Sequence, residues 1–209
     1  MGLTRFGTRQ AAVGKRPAAY GKRQPHRCGP MTRYADRMSE LSYGDVTGEY
    51  LALRTGAGLV TGEHELVWAR GPDAVAFLND LLSQEIAGLP VAATARSLLL
   101  APQGKLRATL WVLRGEEEVG LVCDAGLAET VIGDLTRFLI RVDVELEPEQ
   151  RPVLEVWGAG ASRVLGDAGF ASRPGWESRG DVVVARLPLG NLDRFGVVGD
   201  ARDALIAAG

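Results

Sequence analysis

Apolar residues follow two periods along this chain, and the changes between them mark its elements. From Asp45 onward, "VTGEYLALRTGAG" places Tyr50, Leu51 and Leu53 on a short helix that Gly56 and Gly58 stop. "ELVWAR" (65–70) reads as a strand. "GPDAVAFLNDLLSQEIAGLP" returns to helical spacing at Phe77, Leu78, Leu81 and Leu82, with Pro72 in its first turn and Gly88 and Pro90 at its end. Two strands, 97–101 and 105–113, flank the turn Pro102-Gln103-Gly104-Lys105, and a third, 118–125, follows an acidic turn. "GLAETVIGDLTRFLIR" predicts a second amphipathic helix with Leu127, Val131, Leu135, Phe138 and Leu139 inward. "VDVELEPEQ" alternates Val142, Val144 and Leu146 against acids, as a half-exposed strand does.

"PEQRP" (148–152) reads as a linker, and the pattern then starts afresh. "VLEVWG" is a strand, "AGASRVLGDAG" a short helix and "SRPGWESRG" a loop. "DVVVARLPL" and "DRFGVVG" are strands, and "DARDALIAAG" is a helix capped by Asp200. Hairpins mixed with helices predict an α+β fold with antiparallel or mixed sheets and flanking helices. The expected organisation is a basic tail over 1–40, one α+β module over 45–148 and a second over 152–209.

Charge divides the chain unevenly. Seven of the 24 basic residues fall in 1–30, where there is no acid, leaving 17 against 26 acids in the rest. A body of that sign repels polyanions, so nucleic acid is an expected partner of the tail alone. Rich in Gly, Ala, Arg and Lys, the tail predicts disorder. It has the acid-free, Arg-rich character of a transit peptide, but it lacks serines and an apolar face. An over-long reading frame with a start at Met31 or Met38 is the expectation preferred. No apolar run is long enough for a membrane span, and two cysteines fit a reducing, cytoplasmic setting.

Chemistry-bearing motifs are sparse. Gly158-x-Gly160 follows a strand and opens a helix, but Arg163 stands where a dinucleotide fingerprint needs its third glycine. Cys123 sits inside a strand as a small buried hydrophobe would. Two histidines cannot build a multi-histidine metal site, so no metal ligand is expected, and His64 has no evident nucleophile partner. What remains is a group of cations on one structural unit: Arg96, Lys105, Arg107, Arg137 and Arg141. They are either a solvated sheet edge or the rim of a cleft for a small polyanion.

The order of "YLALRTGAGLV", "GPDAVAFLNDLLSQEIAGLP", "LLLAPQGKLRATLWVLR" and "LVCDAGLAETVIGDLTRFLIRVDVEL" resembles the folate-binding YgfZ proteins, relatives of the glycine-cleavage T-protein, the aminomethyltransferase. The likeness covers about residues 48–165. It implies α+β modules around a folate-sized hole, completed in the family by a final barrel, with tetrahydrofolate as the ligand. Carried over residue by residue, it implies folate contacts from Asp124, Arg141 and Lys105, with Arg96 among the cations that attract the glutamate tail. In the T-protein two aspartates follow the hairpin turn, and one of them assists methylene transfer. Here those positions are Ala108 and Thr109.

The resemblance therefore implies folate binding without independent catalysis and no catalytic residue in this chain. The Pro-Gln-Gly-Lys turn is closer to the YgfZ branch, which is linked to iron–sulfur cluster maintenance and tRNA modification. Iron–sulfur proteins, or a second chain completing the fold, are the partners this implies. Three departures accompany it. The cysteine signature of that branch and the barrel would lie beyond Gly209. Arg96-Ser97 replaces an aromatic that precedes the hairpin strand, removing an expected stacking face for a pterin. Thr61-Gly62-Glu63 replaces an Asp-x-Ser segment. Two other classes stay open: one-carbon transfer with a carboxylate brought from elsewhere, Glu85 or Asp80, and a structural fragment that needs a partner.

Overall fold

The computed structural model describes Thr4–Arg5 and residues 44–209, apart from positions 62 and 171. Five helices and eleven strands are formed among the described residues. One sheet has the strand order β4 (Thr94–Leu100), β5 (Leu106–Arg114), β6 (Glu118–Asp124), β3 (His64–Arg70), β7 (Glu145–Pro148) and is antiparallel throughout. The other runs β1 (Thr4–Arg5), β2 (Gly58–Thr61), β8 (Val153–Trp157), β11 (Arg194–Val198), β10 (Val182–Arg186), β9 (Trp176–Arg179). It is mixed, because β1 runs parallel to β2. Helices α1 (Val46–Thr55), α2 (Ala74–Leu81), α3 (Ala128–Thr136), α4 (Ala161–Asp167) and α5 (Arg202–Ala208) flank the sheets. The fold is α+β, as the pattern predicts.

Strand parity explains the layering, since alternate side chains leave opposite faces of a strand. Val67, Ala69, Ala108, Leu110, Val112, Val119 and Leu121 point from the first sheet into a core shared with α2 and α3. Leu154, Val156, Phe195 and Val197 point from the second into a core shared with α4 and α5. The opposite faces meet each other: Leu66, Trp68, Leu113 and Val122 pack on Val153, Val183, Ala185, Leu187 and Val198. The order of layers is helix, sheet, sheet, helix. Trp68 and Trp176 close one end with ring centroids 5.7 Å apart.

The sheets do not divide the chain at 148–152. β2, which the sequence groups with the first module, pairs with β8 in the second sheet, Gly58 opposite Trp157 and Leu59 opposite Val156. Thr4 and Arg5, expected within a disordered tail, form β1 on the open edge of β2. The rest of the tail expectation falls outside the described residues.

Four further expectations are corrected. α2 stops at Leu81 because the Asn79 Oδ1 accepts N–H groups from Ile86 (2.9 Å) and Ala87 (3.1 Å), while Ser83 N–H bonds to Leu98. Pairing with the edge strand wins over helix propagation, and Ile86 still reaches the core. α3 stops at Thr136, followed by tight turns and an Arg141 with φ of 60°, leaving Phe138 exposed rather than inward. The stretch "SRPGWESRG" contains β9, anchored where Trp176 Nε1 donates to the Arg114 carbonyl at 2.9 Å. Ala201, not Asp200, occupies the N-cap of α5, with no side-chain cap bond.

Past β7 the chain is pinned by Arg151, which donates to both oxygens of Glu149 at 2.9 and 3.0 Å and to the Asp181 carbonyl. The fork of hydrogen bonds from Arg151 is the main cause that holds the Glu149 carboxyl down to about 2. Its folded value lies below the unfolded one, so its contribution is complete above the ordinary carboxylate range and fades as pH falls towards 2. Urea unfolding at pH 7, 4 and 2 should show the difference between wild type and Glu149→Gln shrinking over that acid window. An unchanged difference at pH 2 would reject the assignment.

Candidate functional site

Cross-strand pairing on the inter-sheet faces builds one polar recess. His64 on β3 lies directly opposite Asp124 on β6. Arg96 on β4 lies opposite Trp111 on β5, and Trp157 on β8 opposite Arg194 on β11. Directly opposed residues share a face. By parity His64 sits on the face of Leu66 and Trp68, Asp124 on that of Val122, and Glu155 and Trp157 on that of Val153. Polar side chains thus replace apolar ones at one end of the inter-sheet layer. There His64, Arg96, Trp111, Asp124 and Arg194 line a cavity of about 220 Å³ with Thr109, Leu110, Val122 and Leu189.

Glu155 is the buried centre, 1% exposed. Its Oε2 accepts from Trp157 Nε1 at 2.7 Å and lies 3.7 Å from Arg194 Nη1. Its Oε1 is in close contact with His64 Nδ1, and neither of these two buried atoms has a hydrogen-bond partner among the described residues. His64 Nε2 stands 3.5 Å from Asp124 Oδ1. The other Asp124 oxygen accepts from the Thr109 hydroxyl at 3.4 Å. Side-chain exposure rises along this line from 1% at Glu155 to 15% at His64 and 61% at Asp124, so a chain of groups that can carry a proton runs from the core to the recess.

Guanidinium and indole groups alternate beside it. Arg96 lies over Trp111 at 5.6 Å, Arg194 over Trp111 at 5.9 Å, and Arg194 over Trp157 at 5.1 Å. Arg194 is 5% exposed and donates from Nε to the Leu187 carbonyl at 2.8 Å. Burial moves its guanidinium below its ordinary value, partly offset by Glu155. Ser97, beside Arg96, is buried on the opposite face, where its hydroxyl oxygen accepts from Gln84 N–H at 3.2 Å.

Of the residues singled out by the sequence, Arg96 and Asp124 meet in the recess. Lys105, on the exposed hairpin turn, and Arg141, exposed after α3, lie outside its lining. Arg107 and Arg137 are drawn instead to Asp134, at 2.6 and 3.6 Å. His64, Glu155, Trp111, Trp157 and Arg194 were not legible as site residues. A signal existed all the same, since each is a polar or amphipathic side chain at a strand parity otherwise filled by Leu, Val or Ala. Asp80 and Glu85 are likewise absent from the lining, and the carboxylate that does face Thr109 belongs to Asp124.

A wider groove of about 670 Å³ lies at the far end of the sheets, lined by Glu116, Glu117, Glu118 and Glu177 with Arg70 and Trp176. Its acids oppose an anionic ligand, and Arg70 is engaged by Glu118 and Glu147. Gly158 and Gly160 face neither cavity. Gly160 N–H bonds to the Gly56 carbonyl at 2.7 Å, so this glycine turn clasps the end of α1 and leaves no room for a dinucleotide phosphate. Among the described residues no group of His, Cys, Asp and Glu is arranged to hold a metal ion, and no helix is long and apolar enough to cross a membrane.

Cys123 is 1% exposed, and burial, reinforced by Glu65 and Asp124, pushes its thiol up to about 12. The native protein at pH 8 should leave Cys123 unmodified by iodoacetamide over hours, whereas denatured protein is alkylated at once. Peptide mass mapping distinguishes the two.

The chain is similar to proteins of known kind. The aminomethyltransferase of Corynebacterium aurimucosum is 33% identical over 129 residues, covering 60% of this chain and 35% of that protein. That of Bordetella petrii is 32% identical over 177 residues, covering 76% of this chain and 47% of its own length. The crystal structure of glycine cleavage system aminomethyltransferase T from Bartonella henselae superposes with a TM-score of 0.69 at 27% identity, covering 76% of this chain and 47% of that one. The chain spans about half or less of the length of these relatives. The profile of the GCVT N-terminal domain matches residues 8–171, well over half of the sequence, and the chain belongs to that family.

Proposed function

We propose that this chain binds a reduced folate, with tetrahydrofolate as the ligand, in the recess between the two sheets. The observation that carries this reading is the meeting of Asp124, His64, two guanidinium groups and an indole face at one opening. A carboxylate suits the N–H groups of a pterin, the indole and guanidinium planes suit its ring, and the cations suit the glutamate carboxylates. At about 220 Å³ the recess is smaller than the roughly 300–1,000 Å³ of pockets that enclose a whole ligand. It accommodates the bicyclic head, with the tail lying outside. Lys105 and Arg141 then add positive field at a distance rather than contacts within the recess.

The Pro-Gln-Gly-Lys turn, with Ala108 and Thr109 in place of two aspartates, supports the finer reading of a YgfZ-type role without independent catalysis. Its client iron–sulfur proteins, or a second chain completing the fold, belong to that reading. One observation favours a second: the Asp124 carboxylate stands within hydrogen-bond distance of Thr109, so an acid does face that side of the recess. One-carbon transfer to an amine is therefore the rival activity.

Calorimetric titration with tetrahydrofolate tests the first proposal. Saturable binding in the micromolar to millimolar range typical of metabolites is expected, weakened at least about tenfold by Arg96→Glu. No saturation by millimolar ligand rejects it. Methylene transfer from 5,10-methylenetetrahydrofolate to ammonia, abolished by Asp124→Ala, would favour the rival.

A further inference from the structure

We propose that Glu155, His64 and Asp124 form a proton relay. In it the buried carboxylate is a positioning residue, and His64 Nε2 exchanges a proton with an N–H or ammonium group of the ligand beside Asp124. This rests on the preceding reading only for the choice of ligand.

The argument begins at Glu155. A carboxylate 1% exposed must have both oxygens occupied, and Trp157 and Arg194 engage only Oε2. Oε1 is left to His64 Nδ1. An acceptor-only oxygen against a ring nitrogen requires the hydrogen to reside on that nitrogen, so Glu155 selects the Nδ1–H form of the neutral ring. Oε2 is held by the Trp157 donor at 2.7 Å with the Arg194 charge 3.7 Å away, which fixes the carboxylate's orientation. The ring is fixed in orientation and in tautomer together.

The consequence falls at the opposite edge of the imidazole. In the neutral ring Nε2 is an acceptor, and 3.5 Å away stands a second acceptor, Asp124 Oδ1. Two acceptors that close together in a recess call for a donor between them, and a ligand amine supplies one. On transfer, the ligand N–H bond breaks, keeping its electron pair on the ligand nitrogen, and a new N–H bond forms at Nε2. The resulting imidazolium lies between Glu155 and Asp124. The Nε2–H bond then breaks with its proton taken by Asp124 Oδ1, which restores the neutral ring, and Asp124, 61% exposed, releases the proton to solvent. Arg194 on β11 and Arg96 on β4 are the cations facing this line, and Arg194 is engaged by Glu155 Oε2 at 3.7 Å and by the Leu187 carbonyl at 2.8 Å.

Nitrogen-15 spectra of the histidine rings in the free protein test the relay without any ligand. His26 is the only other histidine, and His64→Gln identifies the signal. The neutral His64 ring is expected to carry its proton on Nδ1 in wild type and to lose that bias in Glu155→Gln. A wild-type ring protonated on Nε2 overturns the proposal, even if the variant fails to fold. With tetrahydrofolate as probe, Asp124→Asn should bind at least about tenfold more weakly, because the new amide can itself donate to Nε2. Unchanged binding by that variant also overturns the relay. Failure of wild type to bind tetrahydrofolate rejects the folate reading and leaves the relay to be decided by the ring spectrum.

Discussion

Alanine at position 155 is expected to lower the free energy of unfolding by about 3–5 kcal/mol, the range for removing one partner of a buried ion pair. Three groups lose the carboxylate beside them at once. Arg194, 5% exposed, keeps a charge with no carboxylate beside it, while Trp157 Nε1–H and His64 Nδ1 are left without partners in the layer between the sheets. The cost comes from this stranded polarity rather than from the cavity alone. Pairing Glu155→Met with Arg194→Met should recover part of the loss, because both charges then leave the interior together. Urea unfolding of the two single variants and the double variant measures the coupling. Strictly additive losses would show that Glu155 and Arg194 do not form one electrostatic unit.

Gly158→Ala is the second large effect, expected at about 2–5 kcal/mol from backbone strain and overpacking acting together. Gly158 has φ of 113°, and a Cβ there would lie 2.5 Å from the Leu53 carbonyl oxygen and 2.6 Å from that of Gly56. Both obstacles are backbone, so no rotamer change relieves them. The expected response is displacement of the C-terminal end of α1 from the turn between β8 and α4. Hydrogen exchange should therefore rise first in residues 46–56. A variant with wild-type stability and unchanged protection in α1 would contradict the contact.

Those two positions also show how far the sequence could be read. The glycines of "VWGAGASRVLG" are visible as a strand-to-helix turn, and the turn is there, but what packs on it is α1, about a hundred residues earlier in the chain. The strands were legible where short apolar runs stand between turn signals, as in 65–70, 118–125 and 153–157, and where apolar and polar residues alternate, as in 105–113. Helix ends were not, because Asn79 and the β4 edge offered backbone groups a better partner than the next turn. Asp124 could be named from the resemblance and Arg96 from the group of cations on one structural unit. His64 and Glu155 could not, for their importance arises from strand register across two sheets, and a single glutamate inside "VLEVW" carries no mark of which face it will occupy until its partners are known. The cations at 105, 107, 137 and 141 illustrate the converse. They crowd together in the reading of one unit, yet Asp134 takes Arg107 and Arg137, while Lys105 and Arg141 lie outside the recess lining.

The membership of β2 in the second sheet has a consequence for synthesis. Thr61 leaves the ribosome roughly ninety residues before Val153, the start of the strand it pairs with. At about 5–20 residues per second, β2 waits on the order of 5–20 s with the edge that β8 will occupy unpaired. Meanwhile the first sheet, whose strands all lie between 64 and 148, can close around its own helices. The nascent chain thus holds a finished layer with a strand attached to it whose β8-side edge is open. A ribosome stalled near residue 150 would display that strand to any passing β-edge, making this interval the one in which a chaperone has most to protect.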